Sequence, residues 1–286
     1  MMLAYLPIIL AELRSELEKK PSIVAAGLFG SALTGELWEH SDIDLFIILD
    51  EEGERWEGTL LRRGGWEVHL QVLTVARLEQ IMANNGGTPF FAALAGVDVW
   101  LDRTGKLTLA IEEARQFPPH ARSLRALREF GEGVERLHTA EKEVAFGLES
   151  AGITLETALA QFAAAELAAS GIYPPRLVWE EAHTRTLPDF EDRQALRSGE
   201  PPAEILARVW ERVLTQLPER CAPLLEHIRS QGKVSGRALE SDPKLGSMNL
   251  GSRLFNELVK AGLLHEVSED YSVIGVDEIA FSVEPG

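Results

Sequence analysis

The chain carries GSALTG at residues 30–35 and SDIDL at residues 41–45, and these two stretches decide its fold. In a β-strand, side chains two residues apart point to the same face. Asp42 and Asp44 would therefore present both carboxylates together, while Ile43 between them turns toward a core. Carboxylate oxygens suit Mg²⁺, which takes one or two protein carboxylates together with waters and phosphate oxygens. The pattern predicts a strand with one metal-binding face and one packed face.

The residues before the aspartates predict a turn that binds phosphate. Residues 22–29 read SIVAAGLF, a short apolar strand that runs into Gly30. Glycine has no Cβ, so a phosphate can approach the backbone closely at this point. Ser31 can cap the short helix that follows, and the N–H groups at a helix N-terminus attract phosphates. We therefore expect Gly30 and Ser31 to bind the nucleotide.

Phe29-Gly30-Ser31 and Asp42-Ile43-Asp44 together resemble the signature of the polymerase-beta-like nucleotidyltransferases. Taken alone, Gly30-Ser31 could be an ordinary strand-to-helix turn and the aspartates a solvated strand edge. Their spacing and the flanking strands make the combined pattern specific. The resemblance implies transfer of a nucleotide, AMP from ATP in the first instance, with one or two Mg²⁺ ions. Small enzymes of the family often carry arginine before the second glycine, where this chain has Thr34, so one phosphate or structural contact differs.

The resemblance also implies a third carboxylate on a neighbouring strand. Residues 66–73 read WEVHLQVL, in which polar and apolar residues alternate as in an amphipathic strand. Glu67 is the predicted third carboxylate, both as a metal ligand and as the general base, because the Glu-Val pattern is similar to that of aminoglycoside adenylyltransferases. His69 is the alternative base, since an imidazole titrates near neutral pH. Otherwise His69 lies at the edge of the site.

Composition limits the class of protein and of acceptor. A chain of 286 residues with 45% hydrophobic content can bury a full core, and a single cysteine excludes an intramolecular disulfide. The net charge is -17, and it repels the phosphates of nucleic acids. We therefore expect a cytoplasmic protein without a membrane segment that acts on a small hydroxylated, cationic molecule such as an aminoglycoside. The simpler interpretation of the charge is solubility.

The sequence predicts an α+β protein whose composition changes at Pro118-Pro119. Helical spacing of apolar residues dominates residues 120–148 and 154–170. LVKAGLL at residues 258–264 is typical of winged helices. The predicted domains are a small mixed-sheet nucleotidyltransferase domain (residues 1–117), a helical domain that binds substrate and nucleotide (118–215) and a winged-helix-like domain (216–286).

Residues 164–187 resemble the helical substrate domain of small nucleotidyltransferases. In that comparison Arg176 reaches the triphosphate beside Trp179, whereas the alternative makes Trp179 a core residue and Arg176 a surface residue. An acidic run nearby either binds the amines of the acceptor or is a solvated charged surface, and we favour the latter. Its members are Glu180, Glu181, Asp189, Glu191 and Asp192.

Two alternatives to small-molecule transfer remain open, as does the oligomeric state. The first alternative is an antitoxin-type enzyme that transfers AMP to a protein or RNA. The second is a nucleotide-sensing regulator that acts through the winged helix. The predicted recognition helix offers only Arg253 and Lys260, against Glu257. That balance favours packing or protein contact over DNA binding.

Overall fold

The structure is a computed structural model that describes residues 5–34, 41–53, 55–83, 89–175, 178–242, 245, 250–271 and 276–283. The chain divides into two compact units, Met1–Pro118 and Pro119–Gly286. The first contains a mixed five-stranded sheet and the second is mainly helical, which confirms the predicted α+β class. The division into three domains stays a prediction.

The first unit contains five strands and five helices among the described residues. Its strands are β1 (Ile23–Phe29), β2 (Ile43–Leu49), β3 (Trp56–Arg63), β4 (Trp66–Thr74) and β5 (Asp98–Asp102). Its helices are α1 (Leu6–Glu18), α2 (Ser31–Thr34), α3 (Val75–Ala83), α4 (Pro89–Ala95) and α5 (Lys106–Gln116). The strand order is β3-β4-β2-β1-β5, with β2 and β4 parallel and the other neighbours antiparallel.

A tight hairpin joins β3 to β4. Gly64 and Gly65 connect the strands with φ of 56° and 89°, values that glycine adopts without a steric penalty. Two-residue hairpin turns with positive φ at both positions match the right-handed twist of the paired strands. The hairpin brings β4 back beside β2, where the candidate site is built.

Apolar residues at alternating or helical spacing form the core of the first unit. Ile43, Leu45 and Ile47 of β2 are buried, as the Asp-x-Asp pattern predicts for the packed face. Helix α1 has Pro7 in its first turn, where proline's missing N–H costs no hydrogen bond. The residues that α1 buries are Leu6, Ile9, Leu13 and Leu17.

The second unit has long helices followed by a small sheet. The helices are α6 (Pro119–Ala145), α7 (Ala151–Ala169), α8 (Val178–Thr184), α9 (Pro188–Arg197), α10 (Pro202–Arg220), α11 (Ala222–Gln231), α12 (Gly236–Ser241) and α13 (Gly251–Lys260). The strands are β6 (Val234–Ser235), β7 (His265–Tyr271) and β8 (Val276–Ser282), in the order β6-β8-β7. The predicted boundary after residue 215 falls within α10.

Helices α6 and α7 approach each other closely at a glycine. A Cβ on Gly133 would lie 2.6 Å from a ring carbon of Phe162, so only glycine lets the two helices pack at this distance. Phe162 also meets Phe130 edge-on, with 5.6 Å between the ring centroids. These contacts belong to the large apolar core of the second unit. Among the described residues, no helix has both the length and the apolar character needed to cross a membrane.

Candidate metal centre

Strands β1 and β2 hold the glycine turn against one aspartate. Phe29, the last residue of β1, pairs with Asp44 of β2, and Gly30 follows at once. Gly30 has a φ of 77°, and a Cβ there would overlap Asp44 Oδ2. Only glycine combines this backbone conformation with such a close approach to the carboxylate. The turn and the carboxylate predicted from the sequence are therefore direct neighbours.

Three side chains from two parallel strands converge beside this turn. The register pairs Asp44 of β2 with His69 of β4. Asp42, Asp44 and His69 each offer a ligand atom, and these atoms all lie within 4.8 Å of one another. His69 Nδ1 lies 3.3 Å from Asp42 Oδ2, and the side chains of His69 and Asp42 are 44% and 37% exposed. The cluster is open to solvent on one side.

The electrostatics of the cluster favour a bound cation. Burial raises the pKa of Asp44 above its ordinary value, the carboxylate of Asp42 raises it further, and His69 acts in the opposite direction. Two carboxylates held this close repel each other when both are ionised. A divalent cation between them would remove that repulsion and replace the lost hydration.

Glu67 lies on the same strand as His69 but outside this cluster. It pairs with Arg62 across the β3–β4 ladder, and Arg62 Nη2 donates to Glu67 Oε1 at 2.8 Å. Both side chains are exposed, Arg62 at 79% and Glu67 at 46%. The roles of Glu67 as metal ligand and general base stay predictions. The third member of the described cluster is His69, which the sequence interpretation treated only as a rival base or an edge residue.

The donor set fits a divalent ion, with one difference from the expectation. Two carboxylates suit Mg²⁺, Mn²⁺ and related ions. An imidazole nitrogen suits transition-metal ions better than Mg²⁺. The residues therefore fit the metal implied by the resemblance, although the third donor is a nitrogen in place of a carboxylate oxygen.

The remaining predicted nucleotide contacts are only partly described. Ser31 begins the short helix α2 directly after Gly30, as expected for the turn. The side chain of Thr34, all of Gly35 and all of Arg176 lie outside the described residues. The proposed contact of Arg176 with the triphosphate thus stays a prediction.

The acidic run of the second unit is only partly the solvated surface that we predicted: Glu180 and Glu191 are exposed, and the two aspartates are not. Asp189 and Asp192 are buried. Arg212 donates to both, at 2.8 Å to Asp189 and 2.7 Å to Asp192, and Arg208 donates to Asp192 at 3.0 Å. Buried carboxylates need such partners because their desolvation is costly. These two aspartates are therefore already occupied by guanidinium groups.

Trp179 is a packing residue of the second unit. It is partly buried and packs against apolar core residues. The guanidinium of Arg193 lies over its ring, 4.5 Å from the centroid, in a cation–π arrangement. This confirms the interpretation of Trp179 as a core residue.

Comparison with known proteins agrees with the site. Residues 11–80 match the family described as "Polymerase beta, Nucleotidyltransferase". The chain is similar in structure to a nucleotidyltransferase-like protein from Exiguobacterium sibiricum, with a TM-score of 0.73 and 17% sequence identity. That similarity covers 97% of this chain and 99% of the other, and at this identity it concerns the fold alone. No curated protein sequence matches the chain.

The matched segment runs from α1 into α3. It contains the Gly30 turn and all three side chains of the cluster. The segment that matches the family therefore also contains the strands and the side chains of the candidate site. The segment from residue 11 to residue 80 is therefore the part of the chain that is similar to the polymerase beta nucleotidyltransferases.

Proposed function

We propose that the chain is a metal-dependent nucleotidyltransferase that transfers AMP from ATP, or another nucleotide from its triphosphate, to a hydroxyl group. One observation carries this proposal: Asp42, Asp44 and His69 converge beside the Gly30 turn within the segment that is similar to the polymerase beta nucleotidyltransferases. A triphosphate placed against the turn meets the carboxylates directly. The single cysteine and the need for a nucleoside triphosphate support action in the cytoplasm.

The reaction makes one bond at the α-phosphorus and breaks another. The acceptor oxygen bonds to the α-phosphorus while the bond to the bridging oxygen breaks, and pyrophosphate leaves. When bound, one or two divalent ions neutralise the developing negative charge. Asp42 and Asp44 hold the ions, and Gly30 with Ser31 positions the phosphates.

Glu67 is the proposed acceptor of the hydroxyl proton. Its pair with Arg62 is exposed on both sides, and such pairs contribute little free energy. Glu67 can therefore exchange Arg62 for an incoming hydroxyl at small cost. His69 is the rival for this role, because its ring lies close to the carboxylates.

The proposed acceptor is a small hydroxylated cation, with aminoglycosides as the first class to test. The net charge of -17 supports a cationic acceptor over a nucleic acid. Pairing of Asp189 and Asp192 with arginines removes these two residues as ligands for its amines. The support for an aminoglycoside is therefore the charge and the resemblance.

A screen of nucleotides and acceptors tests the function. The full chain is incubated with each nucleoside triphosphate, Mg²⁺ or Mn²⁺, and aminoglycosides, proteins or RNA, and pyrophosphate release and acceptor mass are measured. We expect pyrophosphate and a nucleotidylated acceptor with wild type and none with Asp44→Asn. Asp50→Asn is the matched control, since Asp50 follows the other end of β2. Absence of pyrophosphate release and of a modified acceptor in every combination would favour the nucleotide-sensing regulator.

A further inference from the structure

His69 is the side chain of the centre that departs from an all-carboxylate donor set. We propose that His69 is a direct ligand of the metal ion and that the centre therefore prefers Mn²⁺ to Mg²⁺. The proposal rests on the proposed function, because it concerns the metal of the same site. It assigns the site a specificity-determining residue.

The backbone places His69 where a third ligand must be. Asp44 and His69 are register partners in the parallel β2–β4 ladder, so both side chains leave the sheet on the same face. Nδ1 of His69 lies 3.3 Å from Asp42 Oδ2, and the three donor atoms all lie within 4.8 Å of one another. Tetrahedral and octahedral sites with metal–ligand distances of about 2.0–2.2 Å place their donors about this far apart or closer.

Glu67 contacts Arg62 and is not a member of the described donor cluster. Its carboxylate accepts from Arg62 on the neighbouring strand β3. Glu67 is two residues from His69 on β4, and the cluster of described donors contains the imidazole and not this carboxylate. In this proposal His69 completes the donor set, and Glu67 is available to accept the proton of the acceptor hydroxyl.

Ligand chemistry then sets the preference for the ion. Mg²⁺ favours oxygen donors in a near-ideal octahedron, whereas imidazole nitrogen is a good ligand for transition-metal ions. A neutral imidazole also leaves two negative charges in the donor set, where three carboxylates would supply three. The lower charge weakens both ions, whereas the nitrogen donor weakens the binding of Mg²⁺ relative to Mn²⁺. Zn²⁺ and Co²⁺ also bind nitrogen donors well. The two carboxylates and the exposed side of the site leave room for the higher coordination number of Mn²⁺.

Pulsed electron paramagnetic resonance tests the ligand directly and without turnover. The full chain, labelled with ¹⁵N-histidine and freed of metal, is loaded with Mn²⁺ alone and with Mn²⁺ plus α,β-methylene-ATP. We expect a ¹⁵N coupling of the size given by coordinated imidazole in wild type. It should be lost in His69→Asp and kept in His183→Gln, which removes an exposed histidine of the second unit.

Calorimetric titration measures the preference between the two ions. We expect wild type to bind Mn²⁺ more tightly than Mg²⁺, and His69→Asp to lower that ratio by roughly tenfold, since loss of a ligand or of its support commonly costs this much or more. Circular dichroism checks that His69→Asp folds, and His69→Gln, which also removes the imidazole, is the second variant if it does not.

The outcomes separate this inference from the proposed function. Mn²⁺ that binds without a ¹⁵N coupling, together with an unchanged ion ratio in His69→Asp, overturns the role of His69 and leaves nucleotidyl transfer intact. Failure of wild type to bind either ion, with or without the nucleotide analogue, overturns both. A coupling in wild type that is lost in His69→Asp establishes the ligand.

Discussion

Burial and the neighbouring carboxylate of Asp42 make the ionised form of Asp44 unfavourable in the folded protein. These two effects raise the pKa of Asp44 in the folded state. The folded protein therefore binds this proton more tightly than the unfolded chain, and the free energy of unfolding falls as pH rises through the raised pKa. The loss of stability begins above about pH 4, where the unfolded carboxyl ionises, and is complete once the pH exceeds the raised pKa.

We expect Asp44→Asn to stabilise the protein at pH 7 in EDTA. The predicted gain in Tm is roughly 2 °C, limited by solvent screening of a half-exposed carboxylate. Thermal unfolding at several pH values measures it, with Asp50→Asn as the control for removal of one charge. Adding Mn²⁺ should stabilise wild type and not Asp44→Asn. A lower Tm for Asp44→Asn in EDTA at pH 7 would show that repulsion is not the dominant effect.

The Gly30 turn couples a backbone conformation to the position of a carboxylate. Gly30→Ala adds a Cβ that overlaps Asp44 Oδ2, so we expect metal binding to fall by at least tenfold. Gly105→Ala is the matched control, because Gly105 has a similar φ of 73° and no atom within 4 Å of an added Cβ. Both variants carry the strain of roughly 1 kcal/mol for a left-handed alanine. Equal metal affinity in the two variants would contradict the steric link.

Glu67 and Glu57 form exposed ion pairs of the same kind and allow a matched test of the base. Glu67 pairs with Arg62, and Glu57 pairs with Arg55. We expect Glu67→Gln to lower kcat by roughly 10²–10⁴-fold with KM for the triphosphate little changed, because general base catalysis is worth about that much. Glu57→Gln should leave kcat unchanged. Steady-state kinetics with the acceptor found in the screen decide between Glu67 and another base.

Helix packing in the second unit depends on a residue without a side chain. We expect Gly133→Ala to destabilise the protein by about 1–3 kcal/mol, because the added methyl group collides with the Phe162 ring between α6 and α7. Gly152→Ala is the contrast, since an added Cβ there meets only Leu196 at 3.9 Å. In α7 that change should stabilise by about 0.5–1 kcal/mol. Urea denaturation measures both, and equal effects would refute close packing as the cause.

The β3–β4 hairpin shows where a local signal was present and unused. Gly64-Gly65 between apolar and polar runs is a hairpin turn signal, yet the sequence interpretation predicted β4 and not β3. Strand β3 reads WEGTLLRR, in which Gly58 and two arginines obscure the alternation. Its pairing with β4 is what places Arg62 against Glu67. Missing this strand therefore also meant missing the partner of the proposed base.

Across the whole chain, net charge sets which partners approach. At -17 the protein repels polyanions, and in α13 Lys260 donates to Glu257 at 2.7 Å, which neutralises part of the small basic surface. We expect a dissociation constant weaker than about 10⁻⁴ M for duplex DNA at physiological ionic strength. Fluorescence anisotropy with a labelled duplex measures it. Micromolar binding at that salt concentration would revive the winged-helix regulator.

The amino-acid pattern alone was enough to predict the fold class, the main helices, and the packed and carboxylate-bearing faces of the Asp-x-Asp strand. These features depend on periodicities of two or 3.6 residues, which neighbours in the chain specify. The chain order of Gly30, Asp42 and Asp44 was sufficient to indicate the family.

Contacts between distant residues decided which side chain is the third member of the cluster. They also decided which carboxylates are paired with arginines. His69 joins the aspartates because the parallel β2–β4 register aligns it with Asp44. Arg62 occupies Glu67, and Arg212 occupies the buried Asp189, through contacts that no local pattern encodes. Strand register and ion pairing are settled by burial and hydrogen bonding in the assembled fold. The chain order therefore supplied the candidate ligands, and the packed sheet selected among them.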